Sequence, residues 1–425
     1  MRLIIRGGTV VDPVRGRMYP SDILIDGERV AAVEKRVQAR GARVLDAKGK
    51  LVLPGLFDMH VHLREPGQEY KETVATGTKA AMRGGFTAVA AMPNTAPVTD
   101  TPEVIRYVLE KARDAGYARV YPVGAITRGS RGDELSEMGA LREAGAVAYS
   151  DDGRPVVSAA VMRRAMEYAR MLGVPVISHC EDLTLAGGGV MHEGFTSTRL
   201  GLRGIPAAAE EVMVARDIIL AELTGCHLHI AHVSTAGAVR LIREAKARGV
   251  RVTAEVTPHH FTLTEQAVEG FNTLAKVNPP LRTAADVAAL REGLADGTID
   301  VIATDHAPHA AHEKEAEFDA AAFGLVGLET AVGLVFTELV ATGVLDIPAV
   351  AAKMSLNPAR ILGLPAGVIE PGAVADLTVI DPEATEIVDP ASFASKGKNT
   401  PFGGYRLTGL PYATVVGGKV YIRDR

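Results

Sequence analysis

Eight strand-like runs alternate with helical stretches along the centre of this chain, and this order constrains its fold most. Stretches with helical periodicity lie between most of the runs, for example at 156–172, 206–223 and 236–248. Strands that alternate with helices predict parallel pairing, so we expect an α/β fold of the (β/α)8 TIM-barrel type. A doubly wound open sheet is the alternative, although no glycine-rich phosphate loop follows a strand. The predicted barrel strands are 52–57, 86–92, 120–125, 146–149, 174–178, 227–231, 250–255 and 299–303.

Short strands occupy both ends of the chain. Asp26-Gly27 and Gly417-Gly418 each lie between two strand-like runs, as in β-hairpins. Neither end is long enough to bury a core alone, so we predict one small β-sandwich domain formed by both termini, with the barrel inserted. The alternative is two independent additions at the edge of the barrel. The predicted domains are 1–53 with 364–425 for the sandwich, and 54–363 for the barrel.

Composition excludes several classes of protein. The 425 residues suit a barrel of ~250 residues with additions. The formal net charge of -5, with acids and bases interspersed, argues against nucleic-acid binding. No uncharged apolar run approaches the ~18 residues of a membrane span, and the apolar stretch after Met1 is too short for a signal peptide. Two cysteines do not make a disulfide framework, so we expect a cytoplasmic protein without membrane or nucleic-acid partners.

The first barrel strand leads into the segment Asp58-Met59-His60-Val61-His62-Leu63-Arg64. Side chains on a strand alternate faces, so His60 and His62 point the same way. Two imidazoles on one face at the end of a barrel strand can hold a divalent metal. For this motif alone, two histidines satisfied by hydrogen bonds near a turn are an equally good explanation.

Further residues that can bind metals follow other predicted strands. The carboxyl ends of the strands in a parallel barrel meet at one rim, where active sites lie. Imidazoles and carboxylates suit zinc, and four histidines with two carboxylates suffice for two ions that share a bridging carboxylate. Asp151 and Asp152 are both candidates for the bridge, and spacing does not choose between them. The strand-end residues are Asp151, Asp152, His179, His232, Asp305, His306 and His309.

Other histidines and the cysteines are weaker candidates. His229 faces away from the next histidine on the same strand, which favours packing in the core. The pair His259-His260 follows the seventh strand, where it either lines the mouth of the barrel or only packs. We expect His192 and His312 to be solvated in loops. Cys180 has no partnered base in view, so we do not expect a nucleophilic cysteine.

Two segments resemble the signatures of dihydroorotases in the cyclic amidohydrolase superfamily. The first is 58–67, and the second is 303–309 with Lys314 after it. The resemblance extends over the whole chain and includes 92–95 and 277–282. That superfamily combines a barrel with a two-part β domain, as predicted above.

The resemblance implies a set of metal ligands. Many relatives bridge their metals with a carboxylated lysine at the end of strand 4, whereas this chain has no lysine at 150–153. It resembles the branch with an aspartate bridge, and alignment of the strand end favours Asp152. The resemblance implies zinc as one or two ions per subunit, and we expect two. The implied ligands are His60, His62, Asp152, His179, His232 and Asp305.

The resemblance also implies a reaction, the reversible cyclisation of N-carbamoyl-L-aspartate to (S)-dihydroorotate and water in de novo pyrimidine (UMP) synthesis. In the hydrolytic direction we expect a hydroxide bound at the metals to attack the ring amide carbonyl, which one metal polarises. Asp305 is the predicted catalytic residue, because a carboxylate at this position can take the proton and pass it to the leaving nitrogen.

The substrate carries a carboxylate that does not react, and Arg64 is its predicted partner. A guanidinium suits bidentate binding of a carboxylate, and Arg64 lies close to the same rim. The alternatives are a surface ion pair of Arg64 with Glu65 or Glu69, and a simple turn at Asn94. The predicted substrate-binding residues are His62, Arg64, Asn94, Asn278 and His309, to which the resemblance adds Phe323 and Gly324.

Two other functions stay open. An allantoinase or dihydropyrimidinase is the nearest alternative, but the substrates of those enzymes lack the ring carboxylate and need no arginine at position 64. A noncatalytic homologue that scaffolds a partner enzyme would lack ligands, and none is missing here. The partners to test are the small-molecule substrate, a second copy in a homodimer, and an aspartate carbamoyltransferase.

Overall fold

The computed structural model describes residues 2–423. Met1, Asp424 and Arg425, which the predicted domain boundaries include, lie outside the described residues. The strands in the described part of the chain are β1 (Arg2–Asp12), β2 (Arg17–Asp26), β3 (Arg29–Glu34), β4 (Arg43–Asp46), β5 (Leu51–Pro54), β6 (Leu56–Val61), β7 (Phe86–Ala91), β8 (Arg119–Pro122), β9 (Val176–Ser178), β10 (Met191–His192), β11 (Gly204–Ile205), β12 (Leu228–Ile230), β13 (Val252–Val256), β14 (Val301–Ile302), β15 (Leu377–Ile387), β16 (Arg406–Val416) and β17 (Lys419–Ile422).

Helices follow most of the central strands. The α-helices are α1 (Val74–Arg83), α2 (Pro102–Ala115), α3 (Met138–Ala144), α4 (Ala159–Leu172), α5 (Leu183–Ala186), α6 (Phe195–Leu200), α7 (Ala207–Thr224), α8 (Ala236–Ala247), α9 (Pro258–Thr262), α10 (Ala284–Asp296), α11 (Ala311–Lys314), α12 (Ala331–Val335), α13 (Ile347–Ala351) and α14 (Asn357–Ile361). The helices α12 and α13 each continue into a π-helical turn. Within residues 2–423, no helix combines the length and the apolar character that a bilayer span needs.

The longer helices begin and end at residues suited to those positions. The hydroxyls of Ser158, Thr235 and Thr283 accept a backbone N–H from the first turn of the helix that follows, which satisfies a donor that the helix leaves unpaired. Gly173 and Gly225 end α4 and α7 with a left-handed backbone, which glycine adopts without steric cost. The predicted helices at 156–172, 206–223 and 236–248 are therefore confirmed to within a few residues.

Both ends of the chain form one sheet. Its strand order is β17-β16-β15-β5-β1-β2-β3, with β4 also paired to β1. Residues from both ends of this sheet meet in one apolar cluster, which includes Ile5, Ile23, Val52, Leu377 and Val415. The sheet therefore curls over its own core in the manner of a small sandwich. The terminal β domain is confirmed, while its exact boundaries stay a prediction.

The two predicted hairpins are present, and their turns touch. β2 pairs with β3 around Asp26-Gly27, and β16 pairs with β17 around Gly417-Gly418. A Cβ at Gly418 would lie 2.2 Å from the carbonyl oxygen of Gly27, and the backbone there is left-handed (φ 77°). Glycine is therefore required where the first and last hairpins of the chain meet.

The central strands pair in parallel and close into a barrel. β6, β7 and β8 pair in order, and β9, β12, β13 and β14 form a second parallel run. Tyr149 joins the two runs by bridging to Gly124 and Val176, while Val61 bridges to His306 and closes the ring. The (β/α)8 fold is therefore confirmed. The fourth predicted strand, 146–149, is reduced to the single bridging residue.

The predicted strand 52–57 is two strands rather than one. Leu51–Pro54 pairs with β1 and β15 in the terminal sheet, whereas Leu56–Val61 is the first barrel strand. Gly55 lies between them, and a Cβ there would lie 2.2 Å from Thr87 Oγ1. The apolar pattern does not reveal this break because every residue of both strands is buried.

The first barrel strand carries an extra residue just where the predicted ligands begin. Between two paired positions, β6 advances by three residues, from Asp58 to Val61, while its partner β7 advances by only two. A bulge of this kind changes the direction of the side chains that follow. The Asp58 carboxylate accepts the backbone N–H groups of His60 and Thr304, each at 3.1 Å. Asp58 therefore joins the first strand of the barrel to the last.

Candidate active site

The six predicted metal ligands converge at the carboxyl end of the barrel. All are buried, and the most exposed of the six, Asp305, has 8% of its surface accessible. Residues so far apart in the chain meet because the carboxyl ends of parallel strands share one rim. The six are His60 and His62 at the end of β6, Asp152 after Tyr149, His179 after β9, His232 after β12, and Asp305 after β14.

One group of ligand atoms joins the first and last strands. His62 Nε2 lies 2.9 Å from Asp305 Oδ1, and His60 Nε2 lies 3.5 Å from the same oxygen. These three residues offer atoms that all lie within 4.8 Å of one another. Two imidazoles and one carboxylate are thus close enough to share one divalent ion.

Asp152 lies between this group and two further histidines. Its Oδ2 is 3.5 Å from His62 Nε2, and its Oδ1 is 3.4 Å from His60 Nε2. The same Oδ1 is 3.8 Å from His179 Nδ1 and 3.7 Å from His232 Nε2. The two carboxylate oxygens thus face different sets of imidazoles, which is the arrangement that a bridging ligand needs.

Asp151, the other candidate for the bridge, points away from the cluster. Its Oδ1 accepts the backbone N–H groups of Ile126 at 2.8 Å and Thr127 at 3.1 Å, and its Oδ2 accepts the Thr127 hydroxyl. Burial raises the pKa of Asp151 to about 6 despite these hydrogen bonds. Asp151 therefore fastens the loop after β8, and Asp152 is the member of the pair that faces the imidazoles.

Unpaired buried atoms in the cluster fit a cation. His60 Nε2 and Asp152 Oδ1 are buried and have no hydrogen-bond partner among residues 2–423. Such atoms are nearly always paired, because leaving one unpaired away from water costs free energy. Imidazole nitrogens and carboxylate oxygens together form a donor set that suits zinc. The residues present therefore fit one or two divalent ions.

The charges of the cluster compensate one another. Burial alone would raise the pKa of Asp305, but His60 and His62 outweigh it and lower that pKa to about 2. Burial is outweighed in the same way at Asp152, where His60 and His232 hold the pKa well below its usual range. Both carboxylates are therefore anionic at neutral pH, as metal ligands must be.

Three residues around the site have a left-handed backbone although none is glycine. They are Arg64 (φ 62°), His232 (φ 30°) and Asp305 (φ 49°). Such conformations cost about 1–3 kcal/mol each and concentrate at functional sites. Each lies just beyond the end of a barrel strand, so the chain turns sharply where it presents a predicted site residue.

Asn94 contacts a predicted ligand. His62 Nδ1 donates to Asn94 Oδ1 at 2.8 Å. A partner of this kind fixes the direction of a ligand imidazole. Asn94 is therefore more than the turn residue of the alternative interpretation, while its contact with substrate stays a prediction.

Sequence reasoning missed two carboxylates behind the ligands. His60 Nδ1 lies 2.5 Å from Glu255 Oε1, and His179 Nε2 lies 3.4 Å from Glu181 Oε2. Asn278 Nδ2 donates to the same oxygen of Glu181 at 3.2 Å. The predicted substrate residue Asn278 is thus one contact away from a ligand. A signal for both carboxylates was available, because each lies at or just after the end of a predicted barrel strand.

Arg64 points into the mouth of the barrel. Its Nε donates to the carbonyl oxygen of Pro308 at 3.2 Å, and its Nη2 lies 3.4 Å from His309 Nε2. Within residues 2–423 neither Glu65 nor Glu69 pairs with it, since Glu65 binds the start of α1 and a tyrosine of α2, and Glu69 binds a nearby backbone N–H. The alternative of a surface ion pair is therefore wrong.

His309, Phe323 and Gly324 lie together beside Arg64. His309 Nε2 donates to the carbonyl oxygen of Phe323 at 2.8 Å. Burial and the charge of Arg64 lower the pKa of His309 to about 3, so its imidazole is neutral. Gly324 has φ 125°, and a Cβ there would lie 2.7 Å from Ala307 Cβ. This close approach requires glycine, while the contact of all three residues with substrate stays a prediction.

The weaker candidates among the histidines, and Cys180, differ in how well their burial agrees with the predictions from the sequence. His192 is buried rather than solvated, because its Nδ1 accepts a hydrogen bond from Arg282 Nη1 at 3.1 Å. His312 is exposed, as expected, but it lies in the short helix α11 rather than in a loop. The pair His259-His260 is buried near the ligands, and burial lowers the pKa of His259 to about 4. Burial raises the pKa of the Cys180 thiol well above its usual value, which agrees with the absence of a nucleophilic role.

Family models and solved structures match this architecture. A family described as Dihydro-orotase-like matches residues 49–238, and the Amidohydrolase family matches residues 221–422. The L-hydantoinase (dihydropyrimidinase) of Arthrobacter aurescens superimposes with a TM-score of 0.88 at 27% identity, over 98% of this chain and 95% of that one. The D-hydantoinase (dihydropyrimidinase) of Thermus sp. gives 0.86 at 29% identity, over 99% and 95%.

Full-length sequence relatives are more similar still. The chain is 67% identical to a dihydroorotase of Pelotomaculum thermopropionicum over 425 residues, which are 100% of this chain and 99% of the relative. It is 57% identical to a dihydroorotase of Geobacter metallireducens over 421 residues, which are 99% of each chain. Identity at this level over the whole length, together with the family match across the first half of the barrel, means that this chain belongs to the dihydroorotase family.

Proposed function

We propose that this chain is a dihydroorotase, which interconverts N-carbamoyl-L-aspartate and (S)-dihydroorotate with loss or gain of water in pyrimidine (UMP) synthesis. Membership of the family supports the reaction. The observation that carries the choice of substrate is Arg64, a buried guanidinium at the ligand cluster that binds no carboxylate among residues 2–423. Both molecules keep a carboxylate that does not react, and such a guanidinium can bind it in a bidentate manner.

The cofactor that we propose is zinc, as one or two ions per subunit and in our expectation two. The unpaired atoms of His60 and Asp152 support a cation here. When bound, such ions supply a Lewis acid for the amide carbonyl and lower the pKa of water. The proposed ligands are His60, His62, Asp152, His179, His232 and Asp305.

Asp305 is the proposed acid and base. Its pKa of about 2 keeps the carboxylate anionic at neutral pH, so it can accept a proton from the attacking water. Its left-handed backbone places this carboxylate at the mouth, where Oδ1 lies 2.9 Å from His62 Nε2. In ring opening it then delivers the proton to the leaving ring nitrogen, and in ring closure the steps run backward.

The substrate contacts belong to the same proposal. Arg64 would bind the unreacting carboxylate, and the neutral imidazole of His309 lies 3.4 Å from its guanidinium. Asn94 and Asn278 would offer amide hydrogen bonds to the polar edges of the substrate, beside the ligand partners that they already contact. The proposed substrate-binding residues are His62, Arg64, Asn94, Asn278, His309, Phe323 and Gly324.

Kinetics with a panel of cyclic amides test the choice of substrate. We expect kcat/KM for dihydroorotate to exceed that for dihydrouracil, hydantoin and allantoin by roughly 10- to 100-fold, because a charged hydrogen-bond pair contributes about 1.5–3 kcal/mol. The variant Arg64→Lys keeps the charge but loses the planar fork. It should lose a similar factor with dihydroorotate and change little with dihydrouracil, which has no carboxylate. Faster turnover of dihydrouracil by the unaltered protein would refute the proposal.

A dihydropyrimidinase or allantoinase is the second candidate. The names of the structural neighbours favour a dihydropyrimidinase, but those neighbours share only 27% and 29% identity with this chain. The substrate panel separates the two. A noncatalytic scaffold has less support, because all six ligand residues are present and close together. Absence of turnover with every member of the panel, in protein loaded with zinc, would favour it.

A homodimer is the macromolecular partner that we propose from an observation on the surface. Five exposed apolar side chains share the outer side of two neighbouring helices, and we name them the α4–α7 face. A helix that is apolar on both sides is normally buried in an assembly, and α7 has buried apolar residues on its inner side as well. A two-fold axis would cover the face with its own copy. Its members are Tyr168, Met171, Val212, Ile219 and Leu223.

Two further parts of the proposal come from the family resemblance and the composition. Association with an aspartate carbamoyltransferase would bring together the enzymes that make and consume N-carbamoyl-L-aspartate, and co-purification with that enzyme tests it. A cytoplasmic location agrees with Cys180 and Cys226, which are both free thiols.

A further inference from the structure

A buried carboxylate lies beneath the proposed ligands in the interior of the barrel. Glu255 is the fourth residue of β13 and is fully buried. Its neighbours Ala254 and Val256 pack in the apolar layer around the barrel. Because side chains alternate along a strand, Glu255 points the other way, into the interior. A carboxylate buried there is costly unless donors surround it.

Three donors from two other strands surround this carboxylate. Oε1 lies 2.5 Å from His60 Nδ1 and accepts the backbone N–H of His232 at 3.2 Å. Oε2 lies 3.1 Å from His229 Nε2. A carboxylate can only accept, so both imidazole nitrogens carry their protons toward it. One side chain on β13 therefore binds residues at the ends of β6 and β12.

The contact with His60 decides which ring nitrogen faces the ligand cluster. In the neutral ring, a proton on Nδ1 leaves the lone pair of His60 on Nε2, and that nitrogen lies 3.4 Å from Asp152 Oδ1 and 3.5 Å from Asp305 Oδ1. The same Nε2 has no hydrogen-bond partner among residues 2–423. Glu255 thus presents His60 in the only neutral tautomer that can bind a metal at this place.

The contact with His232 acts on the backbone instead. His232 has φ 30°, a left-handed conformation that its side chain disfavours. The N–H of this residue is held by Glu255, and the imidazole then reaches Asp152 with Nε2 at 3.7 Å. The single oxygen Oε1 therefore fixes one ligand through its ring and another through its backbone.

The second carboxylate oxygen of Glu255, Oε2, lies at the end of a chain of hydrogen-bonding side chains. Thr253 Oγ1 lies 2.9 Å from His229 Nδ1 and 3.0 Å from His227 Nε2. In the tautomer of His229 whose Nε2 donates to Glu255 and whose Nδ1 accepts, Thr253 donates to Nδ1 and accepts from His227. The expectation that His229 only packs in the core is thus incomplete, because it anchors the group that holds His60.

We propose that Glu255 is a positioning residue for the metal site, which sets the ring of His60 and the backbone of His232, and that His229 holds Glu255 in place. The proposal rests on the proposed metal site, since it concerns how the ligands are directed. The loss of an ordinary buried polar residue would lower stability without changing the affinity for zinc. The loss of Glu255, by contrast, should change that affinity.

The variant Glu255→Gln tests the proposal in the full-length protein. We expect the dissociation constant for zinc, measured by competition with a chelator, to rise about 10- to 100-fold, which is the usual effect of removing such a partner. At saturating zinc we also expect kcat for dihydroorotate to fall while KM stays within about 2-fold, because Glu255 touches no residue that is proposed only for substrate binding.

Asp22→Asn is the matched control. Asp22 is also buried and accepts two backbone N–H groups, those of Gly7 at 2.9 Å and Val37 at 3.1 Å, but it lies in the terminal sheet. This variant should lower the melting temperature and leave the zinc affinity unchanged. If both variants lower the melting temperature and neither changes the zinc affinity, the role of Glu255 is structural and the proposal is wrong.

Substitutions at His229 keep the proposal testable if Glu255→Gln does not fold. The amide of His229→Gln can replace the Nε2 donor, whereas His229→Ala cannot. We expect near-normal zinc affinity for the first and weakened affinity for the second. Equal affinities of the two variants would overturn the proposal. If the unaltered protein binds no zinc, the metal site itself fails, whereas normal zinc binding by every variant overturns only the inference about Glu255.

Discussion

At the scale of single residues, three of the four proposed imidazole ligands, His60, His62 and His179, have a partner behind the ring. His62 and His179 use an amide oxygen and a carboxylate for this, at 2.8 Å and 3.4 Å. Such contacts fix ring orientation and make the ligand more basic. Among residues 2–423 the Asp305 carboxylate has no comparable partner behind it; its Oδ1 lies 2.9 Å from His62 Nε2, and its backbone is left-handed at φ 49°.

The variant Asp305→Ala should abolish turnover without unfolding the protein. Removing a general acid and base costs about 10²- to 10⁴-fold in rate, and here a proposed zinc ligand is lost as well. Steady-state kinetics, metal analysis and a melting curve check this expectation. Near-normal kcat for dihydroorotate in a folded variant would contradict the assigned role.

At the scale of elements, the C-terminal segment that leads into β16 completes the mouth of the barrel. Asn399 Nδ2 donates to the carbonyl oxygens of Ala307 at 3.0 Å and Gly324 at 3.1 Å. Asn399 Oδ1 accepts the backbone N–H of His309 at 3.0 Å. One amide thus holds the loops that carry three of the proposed substrate contacts.

Glu72, just before α1, ties the same segment to the last barrel strand. It lies 3.4 Å from His306 Nε2, and it accepts the Ser395 hydroxyl at 2.5 Å and the Lys396 backbone N–H at 3.2 Å. Burial alone would raise the pKa of Glu72, but the hydrogen bond and charge of His306 and the hydroxyl of Ser395 outweigh it, so the pKa is lowered. His306 therefore serves this junction rather than the ligand cluster.

The variant Glu72→Gln should lose stability in a way that depends on pH. A carboxyl group with a lowered pKa in the folded state stabilises the protein above its ordinary pKa of 4.5 and loses that effect as the pH falls through the folded value. At pH 7 we expect the melting temperature to fall by about 2–4 °C. The difference from the unaltered protein should shrink as the pH falls below 4.5.

The control for this prediction is Glu143→Gln. Glu143 lies exposed on α3, away from the junction, so its variant should melt like the unaltered protein at every pH. A difference at Glu72→Gln that is the same at pH 7 and at pH 3 would mean that its charge does not stabilise the junction.

At the scale of the whole molecule, the α4–α7 face groups five exposed apolar side chains of the described residues on two neighbouring helices. Met171 has 81% of its surface accessible, and Ile219 and Leu223 have 63% and 62%. Ile219 and Leu223 are four residues apart and therefore lie on the same side of α7. Apolar side chains exposed together in this way mark interaction sites on soluble proteins.

The double variant Ile219→Asp with Leu223→Asp should halve the mass of the protein in solution. Two carboxylates would have to be buried without partners if the face were covered by a second copy. Light scattering at micromolar concentration checks this, with Ile387→Asp as the control because Ile387 is an equally exposed apolar residue of the terminal sheet. An unaltered protein that is monomeric under these conditions would contradict the homodimer.

Local sequence patterns predicted the barrel and the strand ends well but erred where distant residues decide. The apolar run 52–57 does not reveal that the strand is interrupted at Gly55, because the residue that requires glycine there, Thr87, lies on the neighbouring strand. His192 looked like a solvated loop residue, but it lies on β10, is buried and accepts a hydrogen bond from Arg282. Spacing left Asp151 and Asp152 equivalent, because consecutive residues differ only in which part of the fold they face.

The amino-acid sequence by itself determined the order of strands and helices, the polar residues at the strand ends, and the motif with His60 and His62, because these features depend on local propensity and on the period of two along a strand. Only the tertiary structure decided which groups meet across strands: Asp152 among four imidazoles, Glu255 beneath His60, and Asn399 at the mouth of the barrel. The physical reason is that hydrogen bonds and metal ligation act over about 3 Å. The sequence contains no measure of that distance between residues a hundred positions apart.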